Sequence, residues 1–313
     1  MKRKFVLSLL LSAALALTAC GNSEKNNNED NDVLDIYTTV YPLEYFTEAI
    51  GGEFVNVETI YPPGTDEHTF DPSQKDIVSM ANSDLFFYIG YNLEGFVTKA
   101  EPILKGEGVT TIAVGETVEV DEETEHHDHE EKEDDGHEHG SVNPHLWLDP
   151  VYSIEMAETI KDELTKQMPE QEGYFTNRFN ELSDKLKLLD KQFAKTIKAG
   201  RTNKVIVSHS AYGYWEERYG LEQIGVTGLT SSGEPSQKQL AGIVTMAKKE
   251  NLHYVVYEQN ISSKLTEIIQ KEMGAEALEF HNLSVLTDKD IESGENYFSL
   301  MEKNIKTLQT ALQ

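Results

Sequence analysis

Residues 169–200, PEQEGYFTNRFNELSDKLKLLDKQFAKTIKAG, carry Phe175, Phe179, Leu182, Leu186, Leu189, Phe193 and Ile197 at spacings of three and four. On a helix of 3.6 residues per turn those positions form one stripe, so the stretch predicts a single amphipathic helix bracketed by Pro169 and Gly200. At 1.5 Å per residue it would be roughly 43 Å long, the span of a pair of lobes rather than of one crossover. A helix of that length does not bend like a multi-strand hinge, so it restricts whatever it joins to small relative motions.

On both sides of the helix, short apolar runs alternate with helical patterns, as in βα units around a parallel sheet. Strands are expected over 33–40, 55–60, 85–89 and 110–114 before it, and over 205–208, 223–226, 254–257 and 277–280 after it. The expected fold is therefore α/β, with two similar (βα)4-type lobes joined by one long rigid helix. The expected boundaries are 33–168 for the N-terminal lobe, 169–200 for the helix and 201–313 for the C-terminal lobe.

The N-terminus reads differently. Lys2, Arg3 and Lys4 precede an apolar run over 5–17, and Leu17-Thr18-Ala19-Cys20 follows. A charged start, a short apolar stretch and small residues at a cut make a secretory signal peptide over 1–19. The run falls short of the about 20 apolar residues that span a bilayer. Cys20 is the only cysteine in the chain, and Leu-x-x-Cys is similar to a bacterial lipobox, whose thiol is lipidated and becomes the mature N-terminus. No disulfide is then possible, and the fold must rest on an ordinary core. Residues 20–32 form the lipidated cysteine and a polar tether too poor in apolar side chains to fold, reaching on the order of 20 Å.

The formal charge of −28 argues against nucleic acid as a partner, and against an anionic membrane surface beyond a lipid anchor. Much of the charge is local: eleven acids stand between Asp121 and Glu138 against Lys132 alone. The same loop, 121–140, holds His126, His127, His129, His137 and His139, half of the ten histidines in the chain. It has no periodicity, and its composition predicts a disordered loop that attracts metal. A solvated charge run explains the acids but not the histidines.

Five histidines remain: His68, His145, His209, His253 and His281. His209 follows Val205-Ile206-Val207-Ser208, and His281 follows Leu278-Glu279-Phe280, so both stand at the carboxyl end of an expected strand, where open α/β sheets bind ligands. His68 lies in a loop after the second strand, and His145 lies between Pro144 and Pro150. His253 precedes its strand and reads as a surface residue. Four histidines at strand ends and loops, two from each lobe, point to a metal site. Imidazole suits zinc, copper, iron and nickel, whereas carboxylate and water suit manganese and magnesium. A closed tetrahedral zinc site is expected from His68, His145, His209 and His281. Glu258, at the end of Tyr254-Val255-Val256-Tyr257, is either the alternative fourth ligand or the partner that orients an imidazole. Glu67, beside His68, is a weaker candidate of the same kind.

Glu67-His68-Thr69-Phe70-Asp71-Pro72, Asn143-Pro144-His145-Leu146-Trp147-Leu148-Asp149-Pro150, His209-Ser210-Ala211-Tyr212-Gly213-Tyr214, Glu234-Pro235-Ser236 and Gly294-Glu295-Asn296-Tyr297 resemble the motifs of the zinc/manganese-binding lipoprotein family of ABC-transporter solute-binding proteins. The resemblance runs from about Val33 to the end, and the acidic His-rich insert is similar to the zinc branch. It implies two α/β lobes joined by a long helix, with the metal between them and His68, His145 and His209 as ligands. The family's usual fourth ligand is a carboxylate from the C-terminal lobe. This sequence departs there, with His281 at or near that position and Glu279 close by.

The resulting expectation is a monomeric, lipid-anchored, extracytoplasmic capture protein, not an enzyme, that hands zinc to an ABC permease and its ATPase. Manganese is the alternative cargo. A zinc hydrolase would need an open coordination position and a general base, and no His-Glu-x-x-His is present. A surface adhesin would not require inward-facing histidines. Deleting 121–140 should leave one tight zinc site and remove weaker additional binding, because a loop without preorganisation binds less tightly. Isothermal titration of the deletion variant checks this, and loss of the tight site would instead place a ligand in the loop.

Overall fold

The computed structural model describes residues 33–120, 142–230, 233, 235–260 and 263–313. The expected signal peptide and Cys20, and the loop 121–140 with its five histidines, lie outside the described residues. Among the described residues no helix is long and apolar enough to cross a membrane.

All eight expected strands are present. β1 (Leu34–Thr38), β2 (Val55–Thr59), β3 (Leu85–Tyr88) and β4 (Thr110–Ala113) form one sheet in the order β2-β1-β3-β4. β5 (Lys204–His209), β6 (Glu222–Thr227), β7 (Tyr254–Glu258) and β8 (Glu276–Phe280) repeat the pattern as β6-β5-β7-β8. Every pairing is parallel. Parallel strands covered on both faces read as continuous apolar runs, and Leu85-Phe86-Phe87 and Val205-Ile206-Val207 are fully buried. In each sheet the chain steps outward from its first strand and then returns past it. The crevice at the carboxyl edge therefore lies between β1 and β3 in one lobe and between β5 and β7 in the other, the usual place for a ligand.

α1 (Tyr41–Gly51), α2 (Gln74–Met80) and α3 (Val97–Gly106) belong to the first lobe, and α4 (Pro150–Gln167) leads into the long helix α5 (Glu172–Lys198). The 27 residues of α5 span about 40 Å. It starts after a 3-10 turn at Pro169–Gln171, slightly later than Pro169 suggested, because the first turn winds more tightly. Its stripe is buried as expected: Phe175, Leu182, Leu186, Leu189, Phe193 and Ile197 are each at most 4% exposed, with Phe179 partly covered at the edge. The two halves of the helix serve different lobes. Phe175 and Tyr174 meet Phe54 of the first lobe edge-on, and Arg178 Nε donates to the Ala49 carbonyl at the end of α1. Phe193 packs on Trp215 and Tyr219 of α6 (Gly213–Tyr219) in the second lobe.

The second lobe continues with α7 (Gln237–Lys249), α8 (Lys264–Met273) and α9 (Asp288–Ser293), and the chain ends in α10 (Tyr297–Ala311). Although α10 follows the second sheet, its first residue crosses to α1: the Tyr297 ring meets Phe46 at 5.0 Å and stacks on Tyr45. One apolar core runs through both lobes, and a smaller one of Ile206, Val226, Ala247, Val255 and Ile269 lies in the second sheet. Leu186→Ala, at the fully buried centre of the α5 stripe, should lower stability by about 2–5 kcal/mol. The midpoint of urea unfolding measures it, and an unchanged midpoint would mean that the stripe does not carry the packing.

Candidate metal centre

The C-terminal ends of the strands bring three of the four expected histidines together. His209 is the last residue of β5 and is 1% exposed. His145 is fully buried, on the segment that enters the 3-10 turn Leu146–Leu148 before α4. His68 comes from the irregular loop after β2, where its backbone N–H donates to Asp66. The ring centroids stand 5.2, 5.2 and 5.7 Å apart. All three turn Nε2 inward: His145 Nε2 lies 3.3 Å from His68 Nε2 and 3.4 Å from His209 Nε2. Glu67 is the fourth group, and one ligand atom from each of the four lies within 4.8 Å of every other.

Hydrogen bonding on the far side of two rings sets the tautomer. His145 Nδ1 donates to Asn143 Oδ1 at 2.7 Å, and the same oxygen accepts the His145 backbone N–H. His209 Nδ1 donates to Glu258 Oε1 at 2.5 Å. With the proton on Nδ1, each neutral ring presents a bare Nε2 to the centre. Bare nitrogens this close repel unless a cation lies among them. Two nitrogens bound tetrahedrally to zinc at 2.0–2.1 Å stand about 3.3–3.4 Å apart, which is the spacing observed. The donor set fits zinc.

The rest of the network orients the acids. Glu258 ends β7, the neighbour of β5, and besides His209 it accepts from Ser208 Oγ and Asn282 Nδ2. Glu67, 1% exposed, accepts from Ser284 Oγ at 2.8 Å and from Asn282 Nδ2 at 3.3 Å. The His145 segment is held from the opposite lobe: Tyr214 Oη donates to the Asn143 carbonyl, Trp215 Nε1 to the Leu148 carbonyl, and Arg218 pairs with Asp149. Trp147 Nε1 in turn donates to the Asn282 carbonyl.

His281, expected as the fourth ligand, is not brought to the other three. β8 is separated from β5 by β7, so its end lies about two strand spacings, near 10 Å, from His209. Its ring is also engaged: Nε2 donates to Asp290 Oδ2 at 3.2 Å, and Nδ1 accepts the Leu283 N–H at 3.0 Å. The positions that reach the centre from this segment are Asn282 and Ser284. His253 stands apart beside Asn251, as expected. Asn143 was missed by sequence reasoning, although Asn two residues before His145 in a proline-bounded turn is a local signal. Asn282 and Ser284 have none, because their partner Glu67 is more than 200 residues away.

Charge divides the site. Burial, helped by His209, lowers His68 to about 4, and burial drives His145 well below the ordinary range. Both are neutral and ready to bind. His209 differs: burial opposes its charge, but the Glu258 carboxylate outweighs burial and raises it. Burial pushes Glu67 up to about 7. A metal must therefore displace a proton from His209, and below pH 7 from Glu67 also, while protons compete for His68 only near pH 4 and for His145 only well below the ordinary histidine range. Since the metal-free value of His209 lies above its ordinary 6.5, metal binding is favoured as pH rises and weakens once pH falls through that raised value. The zinc-induced rise in melting temperature should thus be clearly larger at pH 8 than at pH 6. Equal shifts at the two pH values would contradict the pairing of His209 with Glu258.

The chain matches the family model described as ZnuA, zinc-uptake complex component A periplasmic, over residues 36–311. It is 35% identical over 309 residues to the zinc-binding lipoprotein AdcA of Streptococcus pneumoniae, covering 97% of this chain but 60% of that protein. The chain thus spans about three-fifths of the length of these streptococcal relatives. It is 30% identical over 308 residues to the high-affinity zinc uptake system protein ZnuA of Bacillus subtilis, covering 98% of this chain and 97% of that one. The crystal structure of the Zn(II)-bound ZnuA-like domain of S. pneumoniae AdcA is similar with a TM-score of 0.74 at 32% identity, over 90% of this chain and 99% of that domain. The metal-dependent lipoprotein YcdH of B. subtilis is similar with a TM-score of 0.74 at 28% identity, over 89% of this chain and 99% of that one.

Proposed function

The chain belongs to the ZnuA family of zinc-uptake components, and on that premise we propose that it captures zinc outside the cytoplasm and delivers it to an ABC permease driven by its ATPase. The observation that carries this reading is the spacing of the three inward Nε2 atoms, 3.3 and 3.4 Å along two edges, which matches the edge of a zinc tetrahedron. Zinc is the cargo, held by His68, His145 and His209 with Glu67 as the fourth ligand. Glu258 fixes the tautomer of His209 from behind. Zinc with Glu67 and Glu258 makes a locally neutral group, so the buried site carries no uncompensated charge. His281 does not coordinate; it supports the turn that carries Asn282 and Ser284. The Leu-x-x-Cys at Cys20 supports lipid anchoring at the outer face of the cell membrane, and the composition of the acidic histidine cluster His126, His127, His129, His137 and His139 supports a role in attracting metal.

Competition against a zinc chelator of known affinity tests the assignment. His209→Ala should abolish the tight site, because it removes a ligand held rigidly at a strand end. Glu67→Gln should weaken zinc by about two orders of magnitude or more, and Glu258→Gln by the about 10–100-fold usual for a residue that orients a ligand. Unchanged affinity in His209→Ala would refute the site. Glu258→Gln proving more damaging than Glu67→Gln would make Glu258 the fourth ligand.

A further inference from the structure

The turn at 282–284 reaches the metal centre from the C-terminal lobe with an amide and a hydroxyl in place of a charge. Asn282 and Ser284 are both fully buried. The orientation of the Asn282 amide follows from its surroundings: Oδ1 accepts from Gln259 Nε2 and the Ser284 N–H, and Nδ2 faces Glu67 and Glu258. Between them Leu283 takes φ +60°, a left-handed conformation that a branched side chain rarely adopts. It is held there by its N–H bond to His281 Nδ1, while the Asn304 side chain bonds both the N–H and the carbonyl of His281. A costly backbone, anchored from behind by His281 and Asn304, thus aims the Ser284 hydroxyl at Glu67 of the opposite lobe and the Asn282 amide between Glu67 and Glu258.

Resting on the reading of Glu67 as the fourth ligand, we propose that Ser284, with Asn282, is a positioning residue that makes the site selective for zinc over manganese. The Ser284 hydroxyl lies 2.8 Å from Glu67 Oε2 and 2.9 Å from Asn282 Oδ1; because Asn282 Oδ1 already accepts from Gln259 and the Ser284 N–H, the single hydroxyl proton goes to Glu67 Oε2. Oε1, whose contact to Asn282 is the longer at 3.3 Å, faces His68 Nε2 at 3.9 Å. Oε2 is thus held toward Ser284, and Oε1 is the oxygen that Glu67 presents to the cargo. Zinc needs no more, since three nitrogens and one oxygen complete its tetrahedron. Manganese favours an octahedral, oxygen-rich shell, and a carboxylate bound through both oxygens would supply one more of its ligands. The hydroxyl withholds that oxygen.

Ser284→Ala, Ser284→Thr and Glu67→Gln should be titrated separately with zinc and with manganese in chelator competition, and their metal-free melting temperatures recorded. In Ser284→Ala the preference for zinc over manganese should fall by about tenfold or more, the range typical of losing a partner that orients a ligand. Ser284→Thr, which keeps the hydroxyl, should retain the preference. A ratio unchanged in Ser284→Ala, or zinc and manganese weakened by the same factor, overturns the proposal and leaves Ser284 a structural residue. Glu67→Gln separates the two levels. Zinc affinity unchanged in that variant refutes Glu67 as ligand and this inference with it. Weakened binding there, with no change of ratio in Ser284→Ala, refutes the positioning role alone.

Discussion

Three imidazoles turned so that bare nitrogens face one another impose the constraint around which the structure is arranged. Such an arrangement favours uptake of a proton or a cation, and behind the His209 ring stands a carboxylate, Glu258, bonded to its Nδ1 at 2.5 Å. Burial keeps the other two neutral. The site is thereby poised between a proton and a divalent cation, and everything that fixes ring orientation contributes to the choice. Asn143 does so for His145 and Glu258 for His209, each through Nδ1.

Holding that geometry requires both lobes at once. His68, Glu67 and His145 precede the long helix in the chain and His209 and Glu258 follow it, yet the His145 segment is secured mainly by Tyr214, Trp215 and Arg218 of the second lobe. The loop carrying Glu67 is tied the same way: Gly64 N–H donates to the Leu286 carbonyl and Asn260 Nδ2 to the Thr65 carbonyl. α5 keeps these contacts in register because its two ends are buried in different lobes, Phe175 against Phe54 and Phe193 against Trp215. A single apolar core runs through both lobes.

His281 was expected as the fourth ligand, and the structure places its ring away from the three clustered histidines. It stands after a strand, as a ligand histidine would. β8, however, is the outer strand of its sheet, and the ring is spent on Asp290 and on the Leu283 N–H. Its Nδ1 accepts the N–H of the left-handed Leu283, which stands between Asn282 and Ser284. On the proposed reading, the carboxylate that the family resemblance expected from this segment comes instead from Glu67 across the cleft, and the segment holds Glu67 with neutral hydrogen-bond donors.

The sequence by itself determined what short-range periodicity can encode. The stripe from Phe175 to Ile197 specified α5, the buried runs specified eight strands, and the position of His209 directly after one of them placed it at the ligand-binding edge. His68 and His145 were legible because prolines and turn residues around them mark loops rather than strand or helix interiors, and Asn143 lies within two residues of the ring it orients. Which groups meet across the cleft was decided only by the tertiary structure. Strand order puts β7 rather than β8 beside β5, which brings Glu258 to His209 and removes His281. Lobe packing brings Ser284 to Glu67 across more than 200 residues. Contacts of that separation depend on how two sheets and a helix pack together, and no local pattern of residues records the result.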